Sequence, residues 1–318
     1  LVHIANAKTD TVLNSDIETV REVLVGFKEV PNYRRIQIPL NNPNALKSIQ
    51  NGLINESKTK VIRILHYGDS QLEGDRISDY FRNKLQKVYG GQGPGIVLPN
   101  EPAATSRQSV FVSHSKNMRK HAFYINGSTR TDGKYGIGGS SFTFDGNYSS
   151  FLKWTYDEAK NSIQPAFSSK KQEQSYLIFR NGSKSYLSVR QYARITLLYE
   201  NDEVSQLQLT CDNSVNNYNL KPSDGLGVQQ WDLKTDKELR LDFTNGKFPL
   251  IYGVALDGTS GVAVDNFPMR GSSAIGFNKM SQGLYRKQLE ALNVRAIILQ
   301  YGINVIPTVR SNYGYYRT

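Results

Sequence analysis

The chain has 318 residues, of which 38% are hydrophobic and 21% charged, enough to bury a sizeable core in one large domain or two smaller ones. Its 39 basic and 28 acidic residues leave a net charge of +11, but the basic residues occur only as scattered pairs such as Arg34-Arg35, Arg119-Lys120 and Lys170-Lys171. No nucleic-acid module, no apolar run of roughly 18–20 residues and no cysteine pair are present, so nucleic-acid binding, a membrane span and an internal disulfide are not expected.

The chain begins at Leu1 without a signal-peptide pattern, as a processed or trimmed product would. Residues 1–40 are weakly periodic; Thr19–Phe27 reads as a short helix or strand ended by Pro31. A helix is expected over Ala45–Leu53, with Asn44 as its cap, covering the sheet that starts at Val61. Val61–Leu65 is apolar except for Arg63, the pattern of a buried parallel strand. Gly68-Asp69-Ser70 follows, and then a helix whose buried face is expected to carry Ile77, Phe81, Leu85 and Val88. A serine in that turn stands where a nucleophile can be exposed, or where it simply caps the helix. The glycine-rich stretch Tyr89–Gly95 reads as a helix stop, since it follows a helix and Pro94 lacks an amide donor.

From about Pro99 to Gly253 the pattern becomes period two. Leu207, Leu209 and Cys211 alternate with polar residues, as do Leu239, Leu241 and Phe243. Asn181-Gly182 suggests a hairpin between Tyr176–Phe179 and Tyr186–Val189, and Asn245-Gly246 separates another possible pair. Residues Asn126–Gly146 read as a long loop around a strand at Phe142–Phe144. These short strands predict a β-sandwich or jelly roll. Asn278–Leu292 then predicts a helix, and Val294–Leu299 a central strand. There is no internal repeat.

Three short blocks lie in order: Gly68-Asp69-Ser70, the loop holding Gly271, and Gly302-Ile303-Asn304 after the last strand. Together they resemble the SGNH (GDSL) hydrolases, a family of esterases and acylhydrolases, with Gln71 in place of the usual Leu and Val305 where Asp often follows Asn. The resemblance implies a three-layer α/β parallel-sheet core interrupted by an inserted β-sandwich (jelly-roll-like) module. The core would occupy residues 1–98 and 254–318 and the module 99–253. It implies Ser70 as nucleophile, with Gly271 and Asn304 as oxyanion donors, and neither metal nor cofactor. The family's late Asp-x-x-His is absent: no histidine follows Asn304. A sequence truncated before that block is the expectation. A base from elsewhere or an inactive relative are the alternatives: His114 and His121 lie in the β module and could reach the site only if its loops fold over. His66 reads as buried structure, so no catalytic histidine is assigned among these and His3.

A split core with such an insert is similar to bacterial peptidoglycan O-acetylesterases. That resemblance implies a periplasmic or extracellular serine esterase acting on an acetylated polysaccharide. Two alternatives stay open: a glycan-binding protein on an inactive hydrolase scaffold, and a carbohydrate O-acetyltransferase.

Overall fold

The computed structural model describes residues 36–101, 107–145, 150–157, 162–169, 175–212, 214–235, 238–245 and 247–305. The expectations for Thr19–Phe27 and Pro31, and everything beyond Val305, lie outside these residues. The chain divides into two units, Leu1–Gln50 and Asn51–Thr318. The described part of the first, residues 36–50, holds turns and the start of helix α1 (Lys47–Ile54).

In the second unit the order runs β1 (Val61–Gly68), α2 (Arg76–Tyr89), β2 (Gly95–Val97), β3 (Val110–His114), β4 (Met118–Ala122), β5 (Ser140–Phe144), β6 (Ser150–Asp157), β7 (Ser162–Ser169) and β8 (Ser175–Asn181). The short α3 (Leu187–Arg190) follows, then β9 (Tyr192–Glu200), β10 (Ser205–Cys211), β11 (Ser214–Leu220), β12 (Gly227–Thr235), β13 (Glu238–Asn245), β14 (Leu250–Asp257) and β15 (Gly261–Pro268). Helix α4 (Gln282–Ala291) and β16 (Val294–Gln300) close the sequence of elements. The described chain is therefore mostly β, and its parallel α/β part is small.

That part is a three-stranded sheet in the order β15-β1-β16, with both pairings parallel. Central strand β1 is buried from Ile62 to Gly68, which its near-continuous apolar run requires. Arg63 breaks the run without breaking the strand, because its guanidinium pairs with Asp257 and, at 2.6 Å, with Asp265. Asp265 also accepts the Ile96 amide at 2.8 Å. The end of α1 lies on this sheet: a Cβ on Gly52 would meet Ile62 and Arg295 at 3.3 and 3.2 Å.

Helix α2 corrects the expected phase. Ile77 and Val88 are exposed, at 44% and 70%, while Ser78, Asp79, Arg82, Asn83 and Gln86 are buried. The helical period is present, but the inward stripe is polar because its partners are polar. Arg82 makes a two-pronged contact with Asp75 at 3.0 and 3.1 Å and donates to the Val264 carbonyl at 2.8 Å. Gln86 donates to the Gly93 and Val262 carbonyls.

The remaining strands form two larger sheets, β11-β10-β13-β8-β3 and β12-β9-β14-β5-β4, with β2 pairing β14 in the second. Strands β6 and β7 make a separate antiparallel pair. Leu207, Leu209, Cys211, Leu239, Leu241 and Phe243 are buried, as their alternation requires. Aromatic pairs close the space between the two sheets: Phe144 on Phe243 and Tyr218 on Trp231, each with centroids 5.2 Å apart. The Asn181-Gly182 hairpin does not form. β8 pairs β13 and β3 instead, and residues 187–190 make one helical turn. The loop expected at Asn126–Gly146 does lead to a strand over Phe142–Phe144, inside β5.

Candidate active site

Parallel pairing aligns Gly68 with Pro268 and with Gln300, so the loops after β1, β15 and β16 leave the sheet at one edge, the carboxyl ends of all three strands. Open α/β sheets place their ligands at this edge. Ser70, Gly271 and Asn304 each sit in one of these three loops.

The turn after β1 is shaped by Gly68, where a Cβ would stand 2.8 Å from both the Gln300 carbonyl oxygen and the Leu72 side chain. Asp69, fully buried, accepts the Gln71 amide at 2.9 Å and caps a short 3-10 turn, Ser70–Leu72. The capping role thus falls to Asp69, and Ser70 stays exposed. Gly74 and Asp75 both adopt positive φ, 83° and 62°, before α2 begins. In the second loop Gly271 has φ 72° and nothing within 4 Å of where a Cβ would be; its backbone sets the residue type, its space does not.

Every pair of loops is joined directly. Asn304 Nδ2 donates to Asp69 Oδ2 at 3.2 Å and to the Ser272 carbonyl at 3.1 Å. Arg270 grips both oxygens of Glu73 at 2.6 Å, which ties the loop before Gly271 to the Ser70 turn. Gln300 lies 3.3 Å from Gln71. Sequence reasoning did not single out Glu73, Arg270 or Gln300, because nothing local marks a pair 197 or 229 positions apart.

His66 is buried beneath the turn, with Nδ1 3.0 Å from Ser78 Oγ and Nε2 3.1 Å from Gln300. Burial pushes its pKa below 6.5, opposed by the Gln300 contact and by Asp75, and reinforced by Arg82. It is the structural histidine that its strand position suggested. His114 faces the Ser115 carbonyl and His121 faces Thr143, both at 3.0 Å, and His3 lies outside the described residues.

Behind the turn lies a buried charged cluster. Asp75 takes the Ser109 hydroxyl at 2.8 Å as well as Arg82, and Arg107 pairs with Glu101. Burial raises the Asp75 carboxyl, but Arg82, Arg107 and the Ser109 hydrogen bond outweigh it and hold the pKa below 3.8. For Asp79, Glu101 and Asp265 burial prevails over the neighbouring arginines and pushes the carboxyls up. Among the described residues no cluster of three His, Cys, Asp or Glu is placed to hold a metal ion, and no helix is long and apolar enough to cross a membrane.

The arrangement presents an exposed serine hydroxyl at a strand end and an asparagine amide in the loop after a neighbouring strand, residue types that acyl transfer can use. No family model and no curated protein matches the chain. Among solved structures, a peptidoglycan O-acetylesterase aligns over 82% of this chain at a TM-score of 0.52, with 18% identity. The chain shares that structure's fold. It spans 61% of that protein's length. A family 29 carbohydrate-binding module aligns over 31% of this chain and 67% of its own, at 14% identity and a TM-score of 0.21. A family two carbohydrate esterase from Cellvibrio japonicus aligns over 61% and 53%, at 11% identity and a TM-score of 0.18.

Proposed function

We propose that this chain is an SGNH-type serine esterase that removes O-acetyl or other short acyl groups from a carbohydrate such as peptidoglycan. The observation that carries the reading is the meeting of Ser70, Gly271 and Asn304 at the carboxyl ends of three adjacent parallel strands, joined by Asn304. Ser70 attacks the ester carbonyl as its hydroxyl proton passes to a general base. The tetrahedral adduct collapses by breaking the bond to the sugar oxygen, which leaves as the free hydroxyl with that proton while the acyl group stays on Ser70. The backbone N–H groups of Ser70 and Gly271 and the Asn304 amide donate to the tetrahedral oxyanion, and water then releases the acyl group. Both contacts of Asn304 Nδ2 are occupied in this structure; in the mechanism it exchanges one of them, the Asp69 contact at 3.2 Å, for the oxyanion. The antiparallel sheets between β1 and β15 are read as the inserted module, with residues 99–253 as its span. Secretion to the periplasm or exterior fits such a substrate.

One observation favours a second reading, a glycan-binding protein on an inactive scaffold. Each described histidine contacts a partner other than Ser70. Hydrolysis of 4-nitrophenyl acetate by the chain and by Ser70→Ala separates the two. Activity lost by at least about 10³-fold in the variant is expected for the esterase. Equal rates, with acetylated polysaccharide still bound, would establish the binding protein instead.

A further inference from the structure

The clasp between Glu73 and Arg270 uses less than half of what the guanidinium offers. Arg270 donates from Nε to one oxygen of Glu73 and from Nη2 to the other, each at 2.6 Å, and makes no other hydrogen bond among the described residues. A guanidinium is flat and carries five N–H donors. Nε and Nη2 form one of its two-pronged edges. The second edge, made by Nη1 and the remaining N–H of Nη2, is left free and turned away from Glu73. The Arg270 side chain is 59% exposed and that of Glu73 15%, so the pair shows its cationic end to solvent.

Place separates this fork from the other surface ion pairs. Its anchor Glu73 closes the Ser70 turn, with the Glu73 amide donating to the Ser70 carbonyl at 3.1 Å. Arg270 itself immediately precedes Gly271. That loop is pinned before Arg270 by the Met269 amide on the Gly68 carbonyl at 2.7 Å, and after Gly271 by the Ser272 carbonyl, which accepts Asn304 Nδ2 at 3.1 Å. The free edge therefore stands beside the nucleophile and the oxyanion loop on a support fixed at both ends. An arginine already held in one position loses little further freedom when it binds. Two N–H groups side by side match the two oxygens of a carboxylate. The net charge of +11 favours an anionic partner on approach, while Glu73 offsets part of the local attraction, so the preference left to Arg270 is chiefly one of shape.

We propose that the free edge of Arg270 binds a carboxylate carried by the same sugar as the ester, so that the site selects acylated acidic glycans such as those built on a uronic acid. The substrate part rests on the esterase reading; the binding of a sugar carboxylate by Arg270 does not.

The first test is nitrogen NMR of the full chain labelled at arginine, with Arg270 assigned by its loss in Arg270→Gln. Methyl glucuronoside, which carries no ester, is expected to shift the Arg270 side-chain signals, and methyl glucoside is not. No shift, or an equal shift with free acetate at the same concentration, overturns the proposal. The second test compares kcat/KM for an O-acetylated methyl glucuronoside with that for the O-acetylated methyl glucoside. Loss of the charged contact predicts that Arg270→Gln lowers this ratio by about tenfold. An arginine that only clasps the two loops would lower both rates together, and an unchanged ratio overturns the selectivity. Arg270→Lys keeps the charge without the fork and is expected to lose most of the preference. Full retention in that variant overturns the two-pronged contact. Absence of any Ser70-dependent hydrolysis would sink the esterase reading, while the titration with methyl glucuronoside would still decide the role of Arg270.

Discussion

The two parts of the second unit bury their interiors by opposite means. Between the two large sheets the interior is apolar and aromatic, built from strand faces that alternate in sequence. Around α2 and β1 it is charged: Arg63, Asp75, Asp79, Arg82, Glu101, Arg107, Asp257 and Asp265 are all buried. Burying apolar surface is favourable without regard to partner geometry, whereas a buried charge is tolerable only with its partners in place. The sandwich can therefore accept changes of shape. The seam beneath the Ser70 turn accepts few changes of any kind, which suits a support that holds that turn in one position.

Replacement tests this contrast most severely at the seam. Arg82→Met removes the guanidinium from Asp75, Asp79 and the Val264 carbonyl and is expected to destabilise by roughly 3–5 kcal/mol in denaturant unfolding. In the sandwich, Leu241→Ala leaves a cavity at a fully buried site and is expected to lose roughly 2–4 kcal/mol, with Leu241→Met nearly neutral. No such conservative rescue is expected at Arg82, where Arg82→Lys keeps the charge but not the fork.

Acid sharpens the comparison further. Burial lowers the His66 pKa beneath 6.5, so the unfolded chain takes up this proton first. The stability His66 contributes is complete above that value and is lost as pH falls through the lower folded one. Urea midpoints should fall between pH 7 and 5 in the parent chain and fall less in His66→Gln, while Leu241→Ala should shift all midpoints without changing the slope. The smallest effect belongs to the surface. Arg119 and Asp145 pair at 2.6 Å but are 63% and 49% exposed, and Arg119→Ala should cost at most about 0.5 kcal/mol.

What could be read from the sequence follows the same division. Alternation at Leu207–Cys211 and Leu239–Phe243 is a local signal of burial, and the structure buries those residues. The apolar run at Val61–Leu65 likewise became a central parallel strand. Helix α2 was legible in period and not in phase, because its inward residues answer to Ser109, Ser185, Val262 and Val264, which lie far along the chain. The segment at Tyr186–Val189 has strand-like composition, yet it forms a helical turn whose neighbour Ser185 binds Asp79. At the site, Gly-Asp-Ser marked the turn, but Glu73–Arg270 and Gln71–Gln300 are charge and amide complements that only the fold brings together.

The pairing of β1 with β15 joins residues as far apart as Arg63 and Asp265, 202 positions in sequence. Closing so long a loop in a disordered chain carries an entropic cost that grows with the logarithm of its length. Prior folding of the intervening strands shortens the span that must still be closed. The order of assembly that this cost favours is the antiparallel sheets first and the Ser70 turn last, so that the turn forms on a support already in place.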